Sequence, residues 1–192
     1  MPLDLSKLLP LIQEMPAYQQ LVAELEQKNS PGVAVIDAAK PYFVAALYHQ
    51  LNLPVLVVMA QPEKAKNLYE QLLTWRPASP VKLFPEPEAL PYERLATDKT
   101  TEIERLQVLS ALTGLASDEN GGPKAPPLII VSAPALMQKL VPHDDFTAAS
   151  HTVRVGMEIE PFDLLARWQA MGYELENTVD VPGTVSHRGG IL

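Results

Sequence analysis

The 192-residue chain carries 23 acidic against 15 basic side chains, a formal charge of −8 and a pI near 5.0. That balance argues against a free-standing nucleic-acid binder, because phosphate backbones are held by clustered Lys and Arg. There is no cysteine, which excludes disulfides, thiolate catalysis and zinc–sulfur sites and fits a reducing, cytoplasmic setting.

Apolar residues make up 47% of the chain, enough for a real core. The longest apolar run, residues 53–60, is far short of the roughly 20 residues that span a bilayer. The start, Met1-Pro2-Leu3-Asp4-Leu5, lacks the basic and apolar regions of a secretory signal. The 19 prolines fall mostly at joints between apolar segments, as punctuation rather than as a low-complexity tract.

In chain order, Leu5, Leu8, Leu9, Ile12 and Met15 form an i, i+3, i+4, i+7 stripe, continued by Leu21, Val22 and Leu25. The spacing predicts two short helices, or one kinked at Pro16. Val33-Ala34-Val35-Ile36 reads as a strand buried on both faces, as in a parallel sheet. After a short turn, Phe43, Ala46, Leu47 and Leu51 recur at helical spacing. Residues 54–59 give a second buried strand. Pro62 suits the first position of a helix with Ala65, Leu68, Tyr69, Leu72 and Leu73 on its apolar face, stopped by Pro77. Residues 81–84 give a third strand.

Residues 85–93 (Pro-Glu-Pro-Glu-Ala-Leu-Pro-Tyr-Glu) are extended and acidic, because three prolines forbid regular helix. Residues 97–115 read as a helix with Ile103, Leu106, Leu109 and Leu112 on one side. Residues 117–127 have the composition of a surface loop. A fourth buried strand follows at 128–131, then a short helix over 134–140. This alternation of strand and helix is the signature of an open α/β sheet.

After His143 the pattern changes. Residues 152–155 alternate as a strand with one wet face, and Gly156 turns the chain. Pro161 opens a helix with Phe162, Leu165, Trp168 and Gln169 on one side, and Gly172 serves as its left-handed stop. Residues 173–192 alternate again around a turn at Pro182-Gly183. The chain reaches Ile191-Leu192 without a cap or polar tail, so continuation of the natural polypeptide is expected.

The stretch 32–51 is where a P-loop protein would carry Gly, four residues, Gly, Lys and Ser or Thr. Lys40 stands at the lysine position. Ala34 and Ala39 replace the glycines, Asp37 sits inside the loop, and Pro41 replaces the hydroxyl residue. Pro41 supplies neither an N–H nor a hydroxyl, Ala39 carries a Cβ where backbone must wrap phosphate, and Asp37 would repel a polyphosphate. The expectation is a loop that does not bind ATP. Most strand–turn–helix units have no nucleotide site at all, so the lysine alone decides little.

No catalytic set emerges. His49, His143, His151 and His187 lack metal-ligand spacing, and no metal site is expected. There is no Gly-x-Ser-x-Gly elbow. His143-Asp144-Asp145 follows a proline rather than a buried strand and reads as capping a loop. Glu86, Glu88 and Glu93 have no specified acid–base geometry.

Four stretches together resemble the N-terminal module of bacterial transcription-repair coupling factors, itself similar to the excision-repair protein UvrB. They are the altered loop at 35–43; F-P-E-P-E-A-L-P-Y-E at 84–93 with E-R-L at 104–106; I-I-V-S-A-P-A-L-M-Q-K-L-V-P at 129–142; and G-Y-E through V-P-G-T-V-S-H-R-G-G-I-L at 172–192. The resemblance implies a RecA-like, mostly parallel sheet flanked by helices over residues 1–142. The start of a smaller inserted α/β domain would occupy residues 143–192. It implies that the degenerate loop (Asp37, Ala39, Lys40, Pro41) is inactive, whereas in UvrB it works.

It further implies that the second domain docks onto UvrA, recruiting nucleotide excision repair to a stalled polymerase. ATP, Mg²⁺, RNA polymerase and double-stranded DNA would be handled by a helicase-type motor and other domains outside these residues. Arg188 matches a family arginine of the UvrA contact, with His187, Glu174 and Leu175 beside it. An arginine fork suits such an anchor because it pairs bidentately with carboxylates. One departure stands out: family members usually carry an arginine just after Gly-Tyr, where this chain has Glu174. The alternative is a UvrB-like domain that binds nucleotide through Lys40.

Overall fold

The computed structural model describes residues 5–75, 81–87, 99–114 and 125–192. The chain divides into two compact units, Met1–Lys139 and Leu140–Leu192. The class is α/β, with a small parallel sheet and flanking helices.

In the first unit, a single turn at Ser6–Leu8 leads into α1 (Pro10–Gln13) and α2 (Pro16–Glu26). They part at Met15, whose extended backbone (φ −78°, ψ 124°) is what a residue before proline prefers. Leu9, Tyr18, Leu21 and Val22 are buried, while Leu8 and Met15 of the expected stripe stay largely exposed.

The first correction concerns Val33-Ala34-Val35-Ile36. These residues belong to no sheet among the described residues, and Ile36, with an extended backbone, is 76% exposed. Apolar composition makes a strand possible; a partner with free backbone groups makes it real, and none pairs with it among the described residues.

A turn at Asp37–Ala39 leads into α3 (Lys40–Leu51), which ends at Asn52 in the left-handed region (φ 48°). Then come β1 (Val55–Met59), α4 (Pro62–Trp75), β2 (Val81–Phe84), α5 (Lys99–Leu112), β3 (Leu128–Ser132) and α6 (Ala133–Leu136). The sheet order is β1-β3-β2, all parallel, with Val57 and Leu83 flanking Ile130 in register. Successive side chains of a strand point to opposite faces. Leu128 and Ile130 therefore join Leu72, Ala45 and Ala46 in one core, and Ile129 and Val131 join Phe84, Val108 and Ala135 in another.

Three expectations in this unit need revision. β1 is not buried on both faces: Leu56 and Val58 are about half exposed, because it lies at the edge of the sheet. In α5 the buried residues are Thr101 and Val108, whereas Leu106 and Leu112 face outward. That rotation lets the Arg105 guanidinium lie 4.1 Å over the Phe84 ring and donate to the Pro85 carbonyl at 2.6 Å. The helix expected over 134–140 is only one turn, capped by Ser132, whose hydroxyl accepts from the Ala135 amide at 3.2 Å. Pro77, Thr97, residues 88–93 and residues 117–124 lie outside the described residues.

In the second unit, α7 (His143–Ala149) begins with His-Asp-Asp. Asp144 and Asp145 thus occupy the first turn of a helix rather than cap a loop, where their charge suits the positive end of the dipole. The strand expected at 152–155 is absent: the chain turns back, the Met157 amide donating to the Arg154 carbonyl, and Val155 is fully exposed. Helix α8 (Pro161–Ala170) stops as expected. Gly172 has φ 99°, its amide meets the Gln169 carbonyl, and the Tyr173 amide meets that of Trp168, the two bonds of a Schellman ending. Short strands β4 (Glu174–Leu175) and β5 (Thr184–Val185) pair in parallel, far shorter than the alternation over 173–192 suggests.

Candidate functional site

Two places carry the residues that the sequence singles out, one in each unit. The first is the turn at 37–41. It is one tight turn passing directly into α3, with no left-handed residue in it. Two of its amides are already committed: Ala39 donates to the Ile36 carbonyl at 2.9 Å and Lys40 to that of Asp37. A phosphate nest needs several such amides free and convergent.

The lysine is also engaged. Lys40 Nζ lies 2.5 Å from Asp37 Oδ1. The hydrogen bond from Lys40, and then its charge, hold the Asp37 carboxyl below its ordinary range. Pro41 is buried in the first helical turn and offers no N–H. A polyphosphate approaching this turn would have to break the ion pair and would meet the freed carboxylate. Ala39 adopts a helical backbone (φ −94°, ψ −11°) that closes the turn rather than opening it.

The second place brings Glu174, Leu175, His187 and Arg188 into one small β layer. The Glu174 amide donates to the Gly183 carbonyl at 3.0 Å and the Glu176 amide to that of Val185 at 2.8 Å. Three residues past β5, Arg188 pairs with Ile191 through both backbone bonds, at 3.0 and 3.2 Å, closing the Gly189-Gly190 turn. Gly189 has φ 62°, so a glycine is needed there.

The Arg188 guanidinium is exposed and donates to the Asn177 carbonyl at 2.9 Å, which also accepts from the Ser186 hydroxyl at 3.0 Å. Arg188 is thus braced as well as presented. Leu175 is 52% exposed, and Glu174 is exposed beside it. His187 faces inward: its ring lies 5.0 Å from that of Phe162, and its Nε2 is buried without a hydrogen-bond partner.

Sequence reasoning missed the supports of this layer. Asn177 matters through its carbonyl, which no side-chain pattern advertises. The Trp168 indole N–H donates to His151 Nε2 at 2.9 Å, and Tyr173 packs on the same indole. An aromatic four residues before a helix-stopping glycine was the available signal for that cluster. Among the described residues no three His, Asp or Glu side chains gather as a metal site, and no helix is long and apolar enough to cross a membrane.

No protein-family model matches the chain. Curated relatives do. The transcription-repair-coupling factor of Bacillus subtilis is 25% identical over 183 residues, 94% of this chain. That of Staphylococcus aureus is 28% identical over 182 residues, 95% of this chain, and that of Myxococcus xanthus 29% over 184 residues, 91% of it. The chain spans about 15% of the length of these relatives.

Proposed function

This chain is homologous to transcription-repair-coupling factors along nearly its whole length, and we propose that it is their N-terminal scaffold module, which recruits UvrA without catalysing any reaction. The observation that carries the reading is the end-to-end likeness to relatives bearing that name, in a segment one-seventh or so of their length. In the longer protein, an ATP- and Mg²⁺-dependent motor elsewhere in the chain would translocate on double-stranded DNA and displace a stalled RNA polymerase in the cytoplasm. None of that chemistry falls to these residues.

The geometry of the two sites supports the division of labour. In the first unit the turn at 37–41 spends two of its amides and its lysine on its own neighbours. In the second, Arg188 is exposed on a braced layer with Leu175 and Glu174 on the surface beside it. An arginine whose fork is held in place loses less freedom on binding, which suits an anchor for carboxylates on a partner. Glu174, where family members usually have an arginine, gives this surface a mixed charge and points to a compensating cation on UvrA.

The test has two arms. Immobilised UvrA should retain the 192-residue chain, and Arg188→Ala should weaken retention about tenfold, the loss of one interface anchor. Equal retention of the variant would remove Arg188 from the contact. Calorimetry with Mg·ATP should give no heat of binding; micromolar binding abolished by Lys40→Ala would establish the UvrB-like alternative instead.

A further inference from the structure

The aromatic cluster that leads into β4 depends on a hydrogen bond whose chemistry the docking function leaves unused. Helix α7 ends at Ser150, whose amide donates to the Phe146 and Thr147 carbonyls and whose hydroxyl donates to that of Phe146 at 2.8 Å. That ending fixes the chain at His151, which is half-buried against the last turn of α8. There the Trp168 indole N–H donates to His151 Nε2 at 2.9 Å, with the two rings 6.2 Å apart and inclined by 25°.

An indole nitrogen can only donate. The bond therefore requires a lone pair on Nε2, which places the ring's single proton on Nδ1. A second proton would go to Nε2, turn the acceptor into a donor and set two N–H groups against each other across 2.9 Å. The same indole packs on Tyr173, 6.1 Å away, whose amide donates to the Trp168 carbonyl at 3.0 Å. Tyr173 runs directly into β4, where the Glu174 and Glu176 amides hold the Gly183 and Val185 carbonyls. Trp168 is thus the link between His151 and the strand pair that carries Glu174 and Leu175.

The charged side chains on the surrounding elements are Asp144 and Asp145 of α7, Arg154, Glu158 and Glu160 in the segment after His151, Asp163 and Arg167 of α8, and Glu174 and Glu176 at β4. None forms a hydrogen bond or ion pair with the His151 ring, whose polar partner among the described residues is Trp168. The other histidines of this unit stand elsewhere. His143 is exposed with Nδ1 3.1 Å from Asp144 Oδ1, so an added proton there meets a carboxylate rather than a donor. His187 packs on Phe162, at the opposite end of α8 from Trp168.

We propose that His151 is a proton-sensitive latch: its neutral ring holds Trp168 and, through Tyr173, the β4–β5 pair, and its protonated ring lets them go. The latch goes beyond the docking reading and does not depend on UvrA being the partner.

The test follows the Trp168 indole N–H resonance of the 192-residue chain from about pH 8 to about pH 5, the range across which imidazoles take a proton. Trp75→Phe supplies the assignment, since Trp75 is the chain's other tryptophan. The expected result is one step, in which the resonance leaves its hydrogen-bonded position and exchange protection of the Glu174 and Glu176 amides falls about fivefold, the weight of one ordinary hydrogen bond. His151→Gln is the decisive comparison, because a glutamine oxygen accepts the same bond and does not titrate. It should hold the resonance at its bonded position at every pH and abolish the fall in protection. A parent resonance indifferent to pH overturns the proposal. The same step in His151→Gln also overturns it, assigning the step to His143 or His187. A step in the resonance with amide protection unchanged overturns the link to β4.

Discussion

Asp37 and Lys40 show how much one residue decides. Three positions after an acidic side chain, a lysine at a helix start finds its counter-charge before any ligand arrives. Its partner's depressed pKa is the signature, with the Lys40 hydrogen bond the larger cause. Lys40→Ala should therefore move the Asp37 titration up toward the ordinary carboxylate range, read by carboxyl NMR. The sign follows: a depressed carboxyl favours the fold above its ordinary pKa, and that contribution fades as the pH falls. Both side chains are solvated, so the effect on stability should be slight.

Tyr18 has the opposite sense. Burial raises its phenol from 10.0 to about 12, so its contribution is whole below pH 10 and is lost as the pH rises through that range. Tyr18→Phe should flatten the alkaline limb of the stability profile. At neutral pH it should leave the 192-residue chain as stable or up to about 1 kcal/mol more so, because an unpaired buried hydroxyl is removed. Chemical denaturation across pH checks both statements. The missing N–H at residue 41 was legible from its letter, since proline acts through a fixed backbone property. Tyr18 was not, because an orphaned hydroxyl appears only once its neighbours are placed.

Among elements, β3 and α5 mark what periodicity can and cannot give. β3 was readable because four consecutive apolar residues in the centre of a parallel sheet are buried whichever way they point. Ile130→Ala should cost about 2–5 kcal/mol in urea unfolding, the usual penalty for truncating a fully buried aliphatic side chain. In α5 two stripes competed, one of leucines and one built on Thr101, Arg105 and Val108. The second won because Arg105 reaches both Phe84 and the Pro85 carbonyl. Val108→Ala should accordingly destabilise by about 1–3 kcal/mol, while Leu106→Ala should stay within about 0.5 kcal/mol. The strands at 33–36 and 152–155 failed for one reason: a strand is a property of two segments, and the alternation of one cannot supply the other.

For the whole molecule, the proposed function gives the two units different work. The first is a sheet with an ion-paired turn at 37–41; the second is a small layer that presents an arginine braced by the Asn177 carbonyl. The likeness to transcription-repair-coupling factors was legible because four motifs spread through the chain occur in order, and relatives so named match nearly its full length. The support beneath Arg188 was not, since it is made of backbone carbonyls and turns. The account turns on this chain being held by UvrA rather than holding a nucleotide. The direct measurement is a titration of the 192-residue chain with UvrA in the absence of ATP. The account predicts saturable binding that weakens about tenfold in Arg188→Ala while its circular dichroism is unchanged. No binding, or binding that appears only when Mg·ATP occupies the turn at Lys40, would contradict it.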